Sequence, residues 1–373
     1  MNHGMRAAGI LIGVVGAAIG ATAGDVVVDG KVSAGGMITS ESGGYRFPDA
    51  TIQTSAYSPE HVRIVVVSPV GSHAENGTAL LSALASISPD QDNPYLLKIE
   101  PGVYDVGASQ FQTKQYLDVE GSGQGVTKIR GNYVRGGALS GFVQIVSYSE
   151  LRMLTVENYG GNATYSYSGI DVWNEGNARV SDVTVLVHSG NHHWGLESAG
   201  TGTVIRNVTI NCTGGSENIG LNLRANTIVV DNVNVRAVDG TYANYGIITD
   251  SNLDTTVTNS VIEASGAAST NNTGLYNRGG AHPDIFNSVI RAFGATNNYA
   301  IHNNGGSGGE GADIEIHNSR ISGEDQSILN ESSYSVYVGS SQLKGPVSNT
   351  GSGSIKCANT CDTSFDELNS SCG

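Results

Sequence analysis

Ile205-Arg-Asn-Val-Thr-Ile210 is followed, 25 residues on, by Val230-Asp-Asn-Val-Asn-Val235, and the same short pattern climbs much of the chain. Earlier copies are Leu151-Arg-Met-Leu-Thr-Val156 and Val180-Ser-Asp-Val-Thr-Val185. Later copies are Val257-Thr-Asn-Ser-Val-Ile262, Ile285-Phe-Asn-Ser-Val-Ile290, Ile316-His-Asn-Ser-Arg-Ile321 and Val338-Gly-Ser-Ser-Gln-Leu343. Their third positions fall at 153, 182, 207, 232, 259, 287, 318 and 340, in steps of 29, 25, 25, 27, 28, 31 and 22. A shorter strand signal precedes seven of these anchors: Gly169-Ile-Asp-Val172, Gly195-Leu-Glu197, Gly220-Leu-Asn-Leu223, Gly246-Ile-Ile248, Gly274-Leu-Tyr276, Ala300-Ile-His302 and Ser327-Ile-Leu329. Its apolar residue lies 11 or 12 residues before the anchor in six cases and 17 in one, Ile301 to Asn318.

Apolar runs this short with a period of two are strands; a helical solenoid would need the 3.6-residue period over ten or more residues. Each repeat buries too few aliphatic side chains to fold alone. Stacked about 4.8 Å apart, the repeats pair their backbones in parallel and share one apolar column. The expected fold is therefore all-β: a right-handed, single-stranded parallel β-helix. Its corner at the anchor suits Asn, which tolerates the left-handed conformation. Asn207, Asn232, Asn259, Asn287 and Asn318 are expected to stack as an internal, hydrogen-bonded ladder. Exposed solenoid ends need caps, and Thr78–Ile87 reads as an amphipathic cap helix over the first rung.

The ends have their own signatures. Arg6, the apolar run Ala7–Ile19 and the small-residue site Ala21-Thr22-Ala23 read as a cleavable secretory signal over 1–23. That run is too short and too rich in Gly and Ala for a span, which takes about 20 strongly apolar residues, and no later segment qualifies. Residues 24–60 read as an N-terminal β-element or linker, 61–350 as the solenoid and 351–373 as a Cys-rich cap. Of the four cysteines, Cys212 sits in a strand pattern as a small buried hydrophobe. Cys357 to Cys372 is the favoured staple among three possible pairings, with Cys361 unassigned. Such a bond fits an oxidising compartment, secreted or at the cell surface.

The chain carries 19 Lys and Arg against 34 Asp and Glu. Loss of Arg6 with the signal leaves 18 − 34 = −16. A surface this acidic disfavours nucleic acid and anionic lipid, which are held by clustered cations. It equally disfavours an anionic polysaccharide, unless Ca2+ bridges the two; no other cofactor and no resident metal is expected. Homo-oligomer formation through the N-terminal segment is compatible with this reading.

Residues 60–107 open with Arg63-Ile-Val-Val-Val67 and end in Leu97-Lys-Ile-Glu-Pro-Gly-Val-Tyr-Asp-Val106. This opening resembles that of pectin-lyase-like β-helix proteins, pectin methylesterases among them, where a strand leads into a similar Pro-Gly-x-Tyr turn. With the rungs to about 345, the resemblance covers most of the chain beyond the signal. The tail Lys356-Cys357…Asp362…Phe365…Leu368…Cys372 resembles the end of secreted bacterial β-helix repeat proteins. Gly43-Gly-Tyr-Arg-Phe-Pro-Asp-Ala-Thr-Ile-Gln-Thr-Ser-Ala56 resembles a segment of bacterial surface and tail-fibre-like proteins. The superfamily's enzyme signatures are missing. There is no Gln-Asp-Thr-Leu-like or Asp-Phe-x-Phe-Gly-like segment of methylesterases, no Asn-Thr-Asp or Asp-Asp of polygalacturonases and no His-Gly after His3-Gly4 in the signal, and no Trp-x-x-Asp-His of pectate lyases. The fold alone lends no activity.

Alternation turns Ile170, Leu196, Leu221, Ile247, Leu275 and Ile301 inward. Asp171, Glu197, Asn222, Ile248, Tyr276 and His302 then form one outward column, and Trp173, Ala199, Arg224, Asp250, Arg278 and Asn304 a second. Rings that stack on pyranose faces and planar groups that grip hydroxyls are the equipment of a sugar-binding cleft. Trp173, Asn222, Asp250, Tyr276, Arg278 and His302 are the expected glycan contacts. Asp171 and Glu197, one rung apart, form a candidate acid–base pair, since close like charges raise one pKa; Arg224 completes the candidate catalytic set. The bland alternative is two solvated surface acids, and Arg224, Asp250 and Arg278 reduced to a charge ladder. His188, His192 and His193 read as a polar loop at the cleft rim, because adjacent histidines cannot readily face one ion. Three functions fit: a non-catalytic glycan-binding or adhesive β-helix, a polysaccharide lyase or hydrolase, and a structural envelope component. The first accounts best for the missing signatures.

Overall fold

The computed structural model describes residues 45–46, 52–53, 63–137, 140–172, 176–250, 254–266, 268–304 and 312–373. The signal reading and most of the 43–56 segment lie outside these residues, as does Trp173. The chain divides into two compact units, Met1–Ser58 and Pro59–Gly373. In the first, Tyr45–Arg46 pairs antiparallel with Ile52–Gln53.

The second unit is a parallel β-solenoid of about nine turns. Each turn contributes to three faces. The short-strand face is one sheet of ten parallel strands, from Phe111–Gln112 through His192–Ser198, Glu217–Leu223, Ala243–Thr249 and Asn271–Asn277 to Val347–Asn349. The second face starts at Arg63–Val67 and ends at Ile355–Ala358. The third runs from Gly102–Asp105 to Gln342–Lys344. Glu150–Asn158 and Arg179–His188 pass unbroken through the corner between the second and third faces and pair on both.

That corner is where the anchors fall. Met153, Asp182, Asn207, Asn232, Asn259, Asn287, Asn318 and Ser340 all have φ between 49° and 56°, the left-handed region, and Asn359 adds one more corner at 52°. Asn lowers the cost of this conformation because its short polar side chain tolerates it. The expected internal ladder is not what these side chains build. Asn232 Nδ2 donates to Asn207 Oδ1 at 2.7 Å and Asn207 Nδ2 to Asp182 Oδ1 at 3.2 Å, but Asn259 Nδ2 turns instead to Asp231 Oδ1. From Asn232 onward the row is exposed. The reason is geometric: the corner points its side chain out of the barrel, and the residue after it turns back in. There Ser260, Ser288, Ser319 and Ser341 are buried, and each hydroxyl accepts the backbone N–H one rung below at 3.1 Å.

The true internal amide ladders lie elsewhere. His193 Nδ1, Asn218, Asn244, Asn272, Asn298 and Asp325 form one chain of side-chain hydrogen bonds. Thr249, Asn277, Asn303, Asn330 and Asn349 form a second. Between them Ile170, Leu196, Leu221, Ile247, Leu275 and Ile301 are fully buried, as alternation requires. Burial of each aliphatic side chain contributes roughly 1.5–3 kcal/mol.

The cap helix runs His73–Ser86, five residues earlier than hydropathy alone placed its start. Ser72 and Glu75 close a capping box that satisfies two otherwise orphaned N–H groups. Leu80 and Leu84 are buried on the first rungs. Gly77 allows the close approach, since a Cβ there would lie 1.9 Å from the Asp105 carbonyl oxygen. At the far end, Cys357 and Cys372 form the disulfide, while Cys212 is buried and free and Cys361 is a half-buried thiol. No helix among the described residues is long and apolar enough to cross a membrane.

Candidate functional site

The outward columns stack as alternation places them. Asp171, Glu197, Asn222, Ile248, Tyr276 and His302 are register partners on successive rungs. The amides of Arg224, Asp250, Arg278 and Asn304 continue the ladder one residue beyond each strand. Glu197, Asn222, Arg224, Asp250, Tyr276 and Arg278 line a single cavity of about 320 Å³. His302 lies beside it, its ring 5.1 Å from that of Tyr276 and its Nε2 2.8 Å from Glu331.

The expectation that Asp171 and Glu197 face solvent fails. Asp171 is 0% exposed and Glu197 1%. Both leave the sheet on its outer side, but Arg135 and Gly141, which belong to no repeat, cover them. Gly141 packs against Asp171 so closely that a Cβ would sit 2.8 Å from the carboxyl carbon. Arg135, with 8% of its side chain exposed, extends over the pair. One guanidinium nitrogen of Arg135 bonds Glu197 Oε2, and the other is 3.9 Å from Asp171.

Glu197 is held by three donors. Besides Arg135, its Oε1 accepts from Asn222 Nδ2 and from Arg224 Nη1, each at 3.0 Å. Burial opposes its charge, but Arg135 and Arg224 overcome that and keep it below the ordinary carboxylate range. Asp171 has weaker support: Ser168 Oγ at 2.7 Å, and Arg135 at a longer range. Burial, with the neighbouring Glu197 charge adding to it, pushes Asp171 up to about 7. The two acids thus separate into a protonatable one and an ionised one, as two coupled carboxyls do, but beneath the groove floor.

Several groove residues escaped the sequence reading. Trp194, Ile219, Tyr245, Thr273 and Tyr299 form a further outward column. Strict alternation would turn them inward with Leu196 and Leu221. The glycine column breaks the alternation: Gly195 faces the interior together with Leu196, and a Cβ on it would stand 2.2 Å from Ile210 Cγ2. Two successive inward positions swing Trp194 and Tyr245 out. A Gly repeated just before the inward aliphatic was the available signal. Arg135, whose guanidinium lies 4.3 Å from the Trp194 ring centroid, had none, because it belongs to no repeat.

The result is an aromatic stripe along the solenoid axis. Tyr245 and Tyr276 rings are 5.5 Å apart, and Tyr299 and His302 rings 5.4 Å. Burial raises the Tyr245 phenol to about 12, so it stays a neutral donor. Arg278 Nη2 pairs with Asp250 at 3.2 Å, and Glu217 with His192 Nδ1 at 3.2 Å. The histidines do not share a loop as expected. His192 and His193 lie in a strand, His193 faces the interior, and His188 bonds Ser189 and Glu157. No cluster of three metal-ligating side chains occurs among the described residues.

No sequence-family profile and no curated relative matches the chain. Solved structures do. A pectate lyase, Pel9A, is 16% identical over 80% of both chains with a TM-score of 0.52. The Dettilon tailspike protein gp208 is 13% identical with a TM-score of 0.56, over 80% of this chain and 62% of its own length. At these identities the likeness establishes the fold alone, a parallel β-helix.

Proposed function

We propose that the groove from Trp194 to His302 binds a polysaccharide or cell-surface glycan, in an exported β-helix protein that does not cleave it. Glu197, saturated by Arg135, Arg224 and Asn222, is the observation that carries this reading. A carboxylate already accepting from three donors and 1% exposed is neither a free base nor a nucleophile, and Asp171 beneath Arg135 cannot touch a polymer at all. The pair instead anchors Arg135 and Arg224 in place. Accessible to a ligand are Trp194, Tyr245 and Tyr276, which offer ring faces and edges, and Arg224 and Arg278, which offer planar donors. That combination suits pyranose faces and hydroxyls. Three guanidiniums balance Glu197, Glu217 and Asp250, so a neutral or weakly charged glycan fits without a bridging Ca2+. Export is supported by the signal-like start and the Cys357–Cys372 bond.

A second reading, polysaccharide lyase or hydrolase, draws on the separated protonation of Asp171 and Glu197. The two are told apart on one panel of neutral and uronic-acid polysaccharides, scored for binding and for new reducing ends. The binding reading expects capture without cleavage. Tyr276→Ala should weaken capture about fivefold, because one ring contact is worth about 1 kcal/mol. Cleavage that disappears in Asp171→Asn would replace it with the catalytic reading, and unchanged capture in Tyr276→Ala would remove this face from consideration.

A further inference from the structure

The third face carries a second, chemically different groove. Its cavity, about 630 Å³, is lined by Arg291, Arg320 and Lys344 together with Phe293, Ser322 and Glu324. Register explains the cluster. Arg291, Ser322 and Lys344 stack on three successive rungs, and Arg320 stands two positions before Ser322 on the middle one. The three cations therefore zigzag up the wall, and rungs about 4.8 Å apart place the outer two about 10 Å from each other.

Two features separate this patch from an ordinary charged surface. The first is that its charge is not cancelled. Among the described residues Arg320 and Lys344 have no carboxylate within ion-pair distance, and Arg291 has only Glu263, at 3.7 Å. The carboxylate of Glu324 is engaged by the backbone, its Oε2 accepting the Gly294 N–H at 2.7 Å. Three cations against one lining acid leave an excess of positive charge, on a chain whose net charge is −15. The second is Phe293, 43% exposed in the same groove. An exposed ring beside regularly spaced cations suits a chain that alternates apolar ring faces with anionic groups.

We propose that this groove is a second binding site, for a linear anionic saccharide bearing carboxylate or sulfate groups. Arg291, Arg320 and Lys344 pair with successive anions, the Ser322 hydroxyl donates between them, and Phe293 stacks on a sugar face. A repeat of anionic groups near 5 Å matches the rise of the solenoid. The site is independent of the short-strand groove, where guanidiniums and carboxylates balance.

Dextran sulfate, with neutral dextran as control, is the probe, and affinity electrophoresis of the full chain is the readout. The chain should be retarded by dextran sulfate and not by dextran. Raising salt from about 50 to about 200 mM should weaken retardation roughly 20- to 40-fold, as ion release from about three contacts requires. Arg320→Glu with Lys344→Glu, both exposed positions, should abolish retardation, while Arg224→Ala with Arg278→Ala should leave it intact. Phe293→Ala should weaken it severalfold at every salt concentration, which a purely ionic surface would not do. A wild-type chain that ignores dextran sulfate, a double charge reversal that still binds it, or loss on changing Arg224 and Arg278 instead would each overturn the proposal.

Discussion

Asn218, Asn244, Asn272 and Asn298 stack inside the solenoid, whereas Asn207, Asn232, Asn259, Asn287 and Asn318 stack outside its sharpest corner. The same amide climbs the same rungs in both rows, for unlike reasons. Inside, each side chain is a donor and an acceptor that satisfies the backbone of the turn and the neighbouring rung. Asn272 accepts from Asn244 Nδ2 and Ser269 Oγ and donates to the carbonyl of Phe293 at 2.6 Å. Outside, most of these bonds are missing and only the backbone conformation is common to the row, with φ near 50° at every position. The interior row is selected for hydrogen bonding and the exterior row for tolerance of the left-handed region.

One substitution made in both rows should expose this difference. Asn272→Leu strands the Asn244 amide and the Phe293 carbonyl, while the Ser269 hydroxyl keeps the Gly266 carbonyl. Each buried unsatisfied group costs about 1–3 kcal/mol, so the total loss is about 3–5 kcal/mol. Asn259→Leu leaves its partner Asp231 with Thr258 and Arg206 still bonded and adds only the left-handed penalty, about 1–2 kcal/mol. Urea unfolding midpoints compare the two directly. Equal losses would mean that the interior amides are not a connected network.

The interior row should also be the pH-sensitive one. His193 begins it: Nδ1 faces Asn218 Oδ1 at 2.7 Å and Nε2 accepts the Gly190 N–H at 2.9 Å. Both ring nitrogens are therefore committed with the ring neutral, and a second proton would meet the Gly190 donor head on. Burial lowers the His193 pKa from its ordinary value of 6.5. The unfolded chain then takes up a proton that the folded chain refuses, so this contribution is complete above about pH 6.5 and is lost as pH falls below it. His193→Gln keeps a donor and an acceptor without titrating. The wild type should lose stability relative to this variant between about pH 6.5 and pH 5, read from thermal midpoints across that range. Parallel profiles would remove His193 from the pH response.

The two rows also differ in how far the chain announces them. The corner row is legible because a left-handed turn between two apolar strands leaves a local pattern, Asn flanked by alternating aliphatics, and all eight anchors read this way take that conformation. What the pattern does not carry is the direction in which the corner side chain points, so an exterior row reads as an interior ladder. The interior amides were visible two residues before each Gly, as in Asn218-Ile-Gly220 and Asn244-Tyr-Gly246, but polar residues in a short strand read by default as solvent-facing. The groove divides along the same line. Arg224, Asp250, Tyr276 and Arg278 follow from strand period and rung register. Trp194 and Tyr245 require the break in alternation at the glycines, and Arg135 lies in a stretch outside the repeat, where periodicity has nothing to say. Without that arginine, Asp171 and Glu197 read as solvent-facing.

The smallest effect belongs to the exterior row alone. If backbone conformation is what selects Asn259, then Gly, which enters the left-handed region without a Cβ penalty, should replace it at almost no native-state cost. The unfolded chain gains freedom with Gly, a destabilisation of about 0.4–1 kcal/mol, and the bond to Asp231 Oδ1 at 2.8 Å is lost. Removal of the left-handed strain offsets part of both. Asn259→Gly should therefore fall within about 1 kcal/mol of the wild type, and Asn259→Ala, which keeps the Cβ and loses the amide, should lie below it by a similar amount. The reverse order, Ala above Gly, would mean that the corner is chosen for its amide after all, and the contrast between the two rows would collapse into one of degree.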